Sequence, residues 1–121
     1  VNVNDYLARS YPLPPCWALV ADVYTHELDQ PVHEYRTITD SVRAIAATFR
    51  LELHKAAHGF RQALAPQDMD VVLLGRSVEL GVHHAGVYWQ GSVLHALPTG
   101  NYFQDLASLR DQYQLVEFWR R

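Results

Sequence analysis

His83-His84-Ala85-Gly86-Val87-Tyr88-Trp89-Gln90-Gly91-Ser92-Val93-Leu94-His95-Ala96-Leu97 has the pattern of a β-hairpin. His83 to Trp89 and Ser92 to Leu97 are two strand candidates joined by Gln90-Gly91, a short turn containing glycine. A two-residue turn sets the register, with Trp89 facing Ser92, Tyr88 facing Val93 and Gly86 facing His95. Side chains alternate along a strand, so His84, Gly86 and Tyr88 share one side with Val93, His95 and Leu97. His83 points to the opposite face by the same parity. His84 and His95 then lie diagonally across the strand pair, roughly 6–8 Å apart at their β carbons. Gly86 between them leaves room. That spacing suits an imidazole whose second nitrogen is oriented by a polar neighbour, as nucleophile–base–orienter sites require. Two histidines on a strand pair are also compatible with partly exposed sheet residues.

Working outward, a nucleophile candidate lies far upstream. Pro12-Leu13-Pro14-Pro15 is a stiff extended approach to Cys16-Trp17-Ala18-Leu19-Val20-Ala21-Asp22-Val23-Tyr24-Thr25-His26-Glu27-Leu28. Apolar residues in this run follow helical spacing, and Pro15 suits a first helical position because its missing N–H costs nothing there. Cys16 is therefore expected in the first turn of a buried helix. Unpaired N–H groups and the positive dipole end at that terminus favour a thiolate, and the same N–H groups near Cys16 can hold a developing oxyanion. A lone cysteine is more often a small buried apolar residue, so its neighbours decide its role.

The remaining segments indicate an α+β fold. A second helix is expected from Thr39 or Asp40, both good N-caps, through Phe49 towards Leu53, with Gly59 as a stop. Val71-Val72-Leu73-Leu74 reads as a buried strand, Leu106 and Leu109 as part of a short helix, and Gln114 to Trp119 as a closing strand. Helices first and antiparallel strands after is not the alternating pattern of a parallel sheet. The 121 residues fit one domain, 1–121, and 14 aromatic residues supply a core without staples.

Composition excludes several classes. The single cysteine rules out an intrachain disulfide or a multi-cysteine zinc site. A net charge of −3 with interspersed signs does not suit a nucleic-acid binder. No apolar run approaches about 18 residues, so no membrane span is expected, and Val1 to Ser10 lacks the apolar stretch of a signal peptide. Cys16, His84 and His95 could ligate zinc together, but no carboxylate is placed to help. His54 and His58, four apart on an expected helix, read as a solvated pair without a third partner. No metal and no cofactor are expected.

Three blocks resemble the NlpC-type cell-wall peptidases, a papain-like cysteine hydrolase family. Cys16 to Val20 with Val23-Tyr24 looks like the family's nucleophile helix, and Trp17 is similar to versions in tailed-phage tail proteins. Met69-Asp70-Val71-Val72-Leu73-Leu74 looks like its Gly-Asp-apolar strand. His84-Ala85-Gly86-Val87-Tyr88 and Gly91-Ser92-Val93-Leu94-His95-Ala96 look like its base-bearing strand and the strand after it. Pro15, Ala18 and Met69 stand where the family usually has Asp, Gly and Gly.

The resemblance implies a papain-like fold, N-terminal helices packed on a C-terminal antiparallel sheet. It implies Cys16 as nucleophile, His84 as general base and His95 as the residue orienting the imidazole. An upstream tyrosine, Tyr11 or Tyr6, would support the site. The implied activity is cleavage of peptide bonds in peptidoglycan stem peptides. Delivery would be by a phage tail tip, with other tail proteins as partners, or as a secreted antibacterial amidase effector reaching the periplasm or cell wall. The rival expectation is a non-catalytic tail or assembly protein that keeps the fold. Cys–His amidases and transglutaminase-like enzymes share nucleophile and base, but His95 in place of Asn or Asp favours the first family.

Overall fold

The computed structural model describes residues 1–12, 15–32, 42–53 and 59–121, with the side chains of the third segment described over 44–49. The expected caps Thr39 and Asp40, the Leu13-Pro14 part of the proline approach, and the pair His54 and His58 lie outside the described residues. Among the described residues four helices, α1 (Val3–Leu7), α2 (Pro15–Leu28), α3 (Val42–Leu53) and α4 (Leu106–Gln112), accompany six strands. The strands are β1 (Arg61–Ala63), β2 (Val71–Gly75), β3 (His84–Trp89), β4 (Ser92–Leu97), β5 (Gly100–Asp105) and β6 (Leu115–Arg120). They form one antiparallel sheet in the order β1-β6-β2-β3-β4-β5. The fold is α+β. No helix among the described residues is long and apolar enough to cross a membrane.

The central hairpin has the register its turn dictates. Gly86 pairs with His95, Tyr88 with Val93 and Trp89 with Ser92. Gln90 and Gly91 both have positive φ, at 48° and 85°, as a two-residue turn matched to strand twist requires. Pro98-Thr99 makes a second two-residue connection, after which β5 pairs with β4 from Leu97↔Gly100 to Ser92↔Asp105. Helix α2 begins at Pro15, as expected from its sequence.

Each face of the sheet has its own core. On one face α2 buries Leu19, Val20 and Val23 against Val71, Leu73, Ala85, Val87, Leu94 and Ala96. On the other, Leu109 of α4 packs with Val72, Leu74, Val93 and Phe118. Strands β2, β3 and β4 therefore carry apolar residues on both faces, and β2 is buried throughout.

Met69, where the resembled family usually has glycine, has φ 76°. The left-handed conformation is kept although the side chain disfavours it. Its N–H donates to the Tyr88 carbonyl at 2.8 Å and its carbonyl accepts from the Tyr24 hydroxyl, fixing the turn that delivers Asp70. Both truncations remove the same packing, so Met69→Gly should exceed Met69→Ala in stability by about 1 kcal/mol in denaturant unfolding. Equal midpoints would mean the turn relaxes to negative φ at no cost.

Candidate active site

His84 is the first residue of β3 and His95 sits opposite Gly86 on β4. Their rings meet edge to face, with His84 Nε2 2.8 Å from His95 Nδ1. Gly86 permits this approach. A β carbon there would stand 2.6 Å from Val93 Cγ1, 2.7 Å from the Leu94 carbonyl and 3.0 Å from His95 Cβ. The histidine pair expected from the hairpin is thus formed and buried, His84 being 6% and His95 1% exposed.

The pair continues outward. His95 Nε2 lies 2.6 Å from Gln104 Oε1 on β5, giving a chain His84–His95–Gln104 across three adjacent strands. Sequence reasoning missed Gln104 because it assigned no strand to 100–105. The signal was present in Pro98-Thr99-Gly100, a turn after a strand. Extending the alternation through it puts Gln104, paired with Val93, on the face of His95.

Cys16 is 5% exposed, in the first turn of α2. Burial pushes its thiol pKa up, while backbone N–H groups of Ala85, Trp17 and Cys16 itself pull it the other way. Ala85 is free for this contact for a simple reason. Tyr88 gives its N–H to Asp70 on the β2 side, so alternation turns the N–H of Ala85 towards β4. The β3–β4 pairing begins only at Gly86, which leaves the Ala85 N–H to the Cys16 sulfur. The N–H groups of Cys16 and Trp17 in the first turn of α2 act on the same sulfur.

The sulfur therefore contacts the residue adjacent to His84. Among the described residues no hydrogen bond joins Cys16 to either imidazole. Cys16 belongs to the α2-side core with Ala85, whereas strand alternation directs His84 and His95 to the α4 side.

Tyr11 and Tyr6 are placed elsewhere, which corrects the expectation that one of them supports the site. Tyr11 gives its hydroxyl to Asp22 Oδ2 at 2.7 Å and Tyr6 to Glu27 Oε1 at 2.7 Å. Asp22 and Glu27 are six and eleven residues beyond Cys16, roughly 9 and 16 Å along the helix axis. Asp22 also binds Arg9 at 2.7 Å and His26 at 2.7 Å. Tyr11, Asp22 and His26 line a cleft of about 590 Å³ with Ala18, Ala21 and Thr25, on the side of α2 turned away from Cys16.

The tyrosine at the site is Tyr113, just after α4. Its half-buried ring stacks on His84 with centroids 6.1 Å apart and planes at 14°. Burial raises its hydroxyl pKa, Arg76 opposes this, and negative charge on Cys16 would raise it further. His83 precedes β3, so strict alternation does not govern it, and its ring also lies 6.1 Å from Tyr113. No signal near Cys16 or the hairpin marks Tyr113, because only the return of the chain from α4 brings it there.

Burial holds both imidazoles neutral. His84 is pushed down from 6.5 to about 3 by desolvation, reinforced by His95, His83 and Arg76. His95 is lowered by burial against the opposing bond to Gln104. As pH falls below about 6.5 the unfolded chain binds the proton first, so these groups make stability fall with acidification. For His84 the loss approaches about 1.4 kcal/mol per pH unit until its folded pKa is neared. Thermal unfolding between pH 8 and 5 should show this slope, and His84→Gln should flatten it. An unchanged slope in that variant would assign the acid sensitivity elsewhere.

Among the described residues no group of three or more His, Cys, Asp or Glu side chains could hold a metal ion. The arrangement offers a sulfur on backbone donors, one of them from the residue that follows His84, and a neutral imidazole oriented by a second imidazole. No protein-family model matches the chain, and no curated protein matches it at a significant level.

Proposed function

We propose that this chain is a papain-like cysteine hydrolase that cleaves peptide bonds in peptidoglycan stem peptides, with Cys16 as nucleophile, His84 as base and His95 as its orienter. The observation that carries the reading is the seating of the Cys16 sulfur on the N–H of Ala85, the residue that follows His84, whose Nε2 lies 2.8 Å from Nδ1 of a second imidazole. The substrate class rests on the resemblance of the three sequence blocks to NlpC-type peptidases. A phage tail tip is the delivery route that Trp17 favours, with tail proteins as partners, and a secreted effector is the alternative.

The chemistry follows from neutral partners. As Cys16 Sγ bonds to the scissile carbonyl carbon, its proton passes to His84 Nδ1, the nitrogen not engaged by His95. The oxyanion meets the N–H groups at the start of α2. Collapse breaks the C–N bond, and the leaving amine takes the proton from His84. Water then attacks the thioester, giving up a proton through His84, and the thiol is restored.

One observation favours a second reading, an assembly protein that keeps the fold without catalysis. Cys16 is nearly sealed, its thiol is pushed towards the protonated form, and it has no hydrogen bond to His84 among the described residues. Mass spectrometry of peptidoglycan incubated with the purified chain separates the readings. New stem-peptide termini, together with labelling of Cys16 by a thiol-reactive probe near neutral pH, are expected for the hydrolase. Intact wall and an unlabelled thiol would leave only the assembly role.

A further inference from the structure

We infer that Gln104 is a positioning residue that selects the tautomer of both histidines, so that His84 presents a bare Nδ1 lone pair and can act as a base. The inference rests on the hydrolase reading for its meaning, but the tautomers themselves can be observed without any activity.

The hydrogen-bonded chain runs inward from β5. Gln104 meets His95 Nε2 through its carbonyl oxygen, Oε1, at 2.6 Å. An oxygen accepts only, so His95 carries its hydrogen on Nε2 and donates it. A neutral imidazole with Nε2 protonated has an unprotonated Nδ1. His95 Nδ1 must therefore accept across the 2.8 Å contact, and His84 Nε2 must donate. His84 is also neutral, so its single hydrogen is spent on Nε2 and Nδ1 is left bare. One amide oxygen at the sheet edge thereby fixes the proton position two residues away.

The opposite chain shows what is at stake. With the Gln104 amide nitrogen facing His95, its Nε2 would accept, its Nδ1 would donate, and His84 would carry its hydrogen on Nδ1. That nitrogen could not take a proton from a thiol. A carboxamide also fixes the direction without placing a full charge beside His95, and so does not favour an imidazolium in the buried pair. Gln104 is half-buried on an edge strand, and its side chain can change without opening either core.

The test is ring nitrogen-15 NMR on the full chain, uniformly labelled, near pH 7.5. Both His84 and His95 are expected with protonated Nε2 and unprotonated Nδ1. In Gln104→Leu the acceptor is lost, and the ring nitrogens of both histidines should move towards values averaged between tautomers. Gln104→Glu keeps an acceptor but adds the full charge that favours an imidazolium, so it should restore the native pattern once the pH is high enough to leave His95 neutral. Peptidoglycan digestion should fall about 10- to 100-fold in Gln104→Leu and recover in Gln104→Glu over that same pH range. A native His95 with hydrogen on Nδ1, or nitrogen shifts unmoved in Gln104→Leu, would overturn the assignment. The expected tautomers in a chain that never digests wall would leave it standing and sink the hydrolase reading instead.

Discussion

On the proposed hydrolase mechanism, a chain with Cys16 replaced by alanine is expected to digest peptidoglycan at least about 10⁴-fold more slowly than the native chain, and to remain folded. The size of the loss follows from covalent catalysis. Without sulfur no acyl-enzyme forms, and only the backbone donors and substrate positioning are left to assist direct attack by water. The fold should tolerate the change because alanine occupies the same helical position and removes one buried atom from the α2-side core. A cost of about 1 kcal/mol in denaturant unfolding is expected for a cavity of that size. His84→Gln should lose a comparable factor, and combining the two should add little, since nucleophile and base act as one unit. A Cys16→Ala chain that digests wall at the native rate would remove the sulfur from the mechanism. A variant that unfolds outright would show that Cys16 is held mainly for packing.

Replacing Asp70 by alanine is expected to destabilise the protein by about 3–5 kcal/mol, the largest effect on stability foreseen outside the apolar core. The Asp70 side chain is 3% exposed and is held in a two-pronged pair, Arg120 Nε to Oδ1 at 2.8 Å and Arg120 Nη2 to Oδ2 at 2.6 Å. Oδ2 also accepts the Gln67 N–H at 2.8 Å. Alanine leaves the Gln67 N–H without its acceptor and the Arg120 guanidinium, whose side chain is 26% exposed, without its anion. The pair joins the entrance of β2 to the end of β6, so its loss acts on the strand pairing that closes the sheet. Arg120→Ala alone should also be costly, and the double variant should cost clearly less than the sum. Strict additivity in that cycle would mean the two groups are stabilised independently.

Legibility from sequence divides along physical lines. The hairpin was readable because Gln90-Gly91 permits a turn of one length, and that length sets Gly86 against His95 by counting. The start of α2 was readable because Pro15 can open a helix and an apolar period follows it. By contrast, β1 is three residues long, and β5 is half-exposed with no strong period, so neither stood out. Gln104 was lost with β5. Tyr6 and Tyr11 were natural candidates by position, but α1 and the following segment lie along the far side and later turns of α2, where Asp22 and Glu27 take their hydroxyls.

Local pattern alone carried the α+β class, the helix that opens at Pro15 with Cys16 in its first turn, and the histidine pair, because periodicity and turn chemistry act over a few residues. Long-range packing set Tyr113 on His84, β6 between β1 and β2, and Cys16 on the Ala85 N–H. Those outcomes depend on contacts between segments far apart in the chain. Their selection comes from the summed burial of two apolar faces of the sheet, which no local pattern encodes.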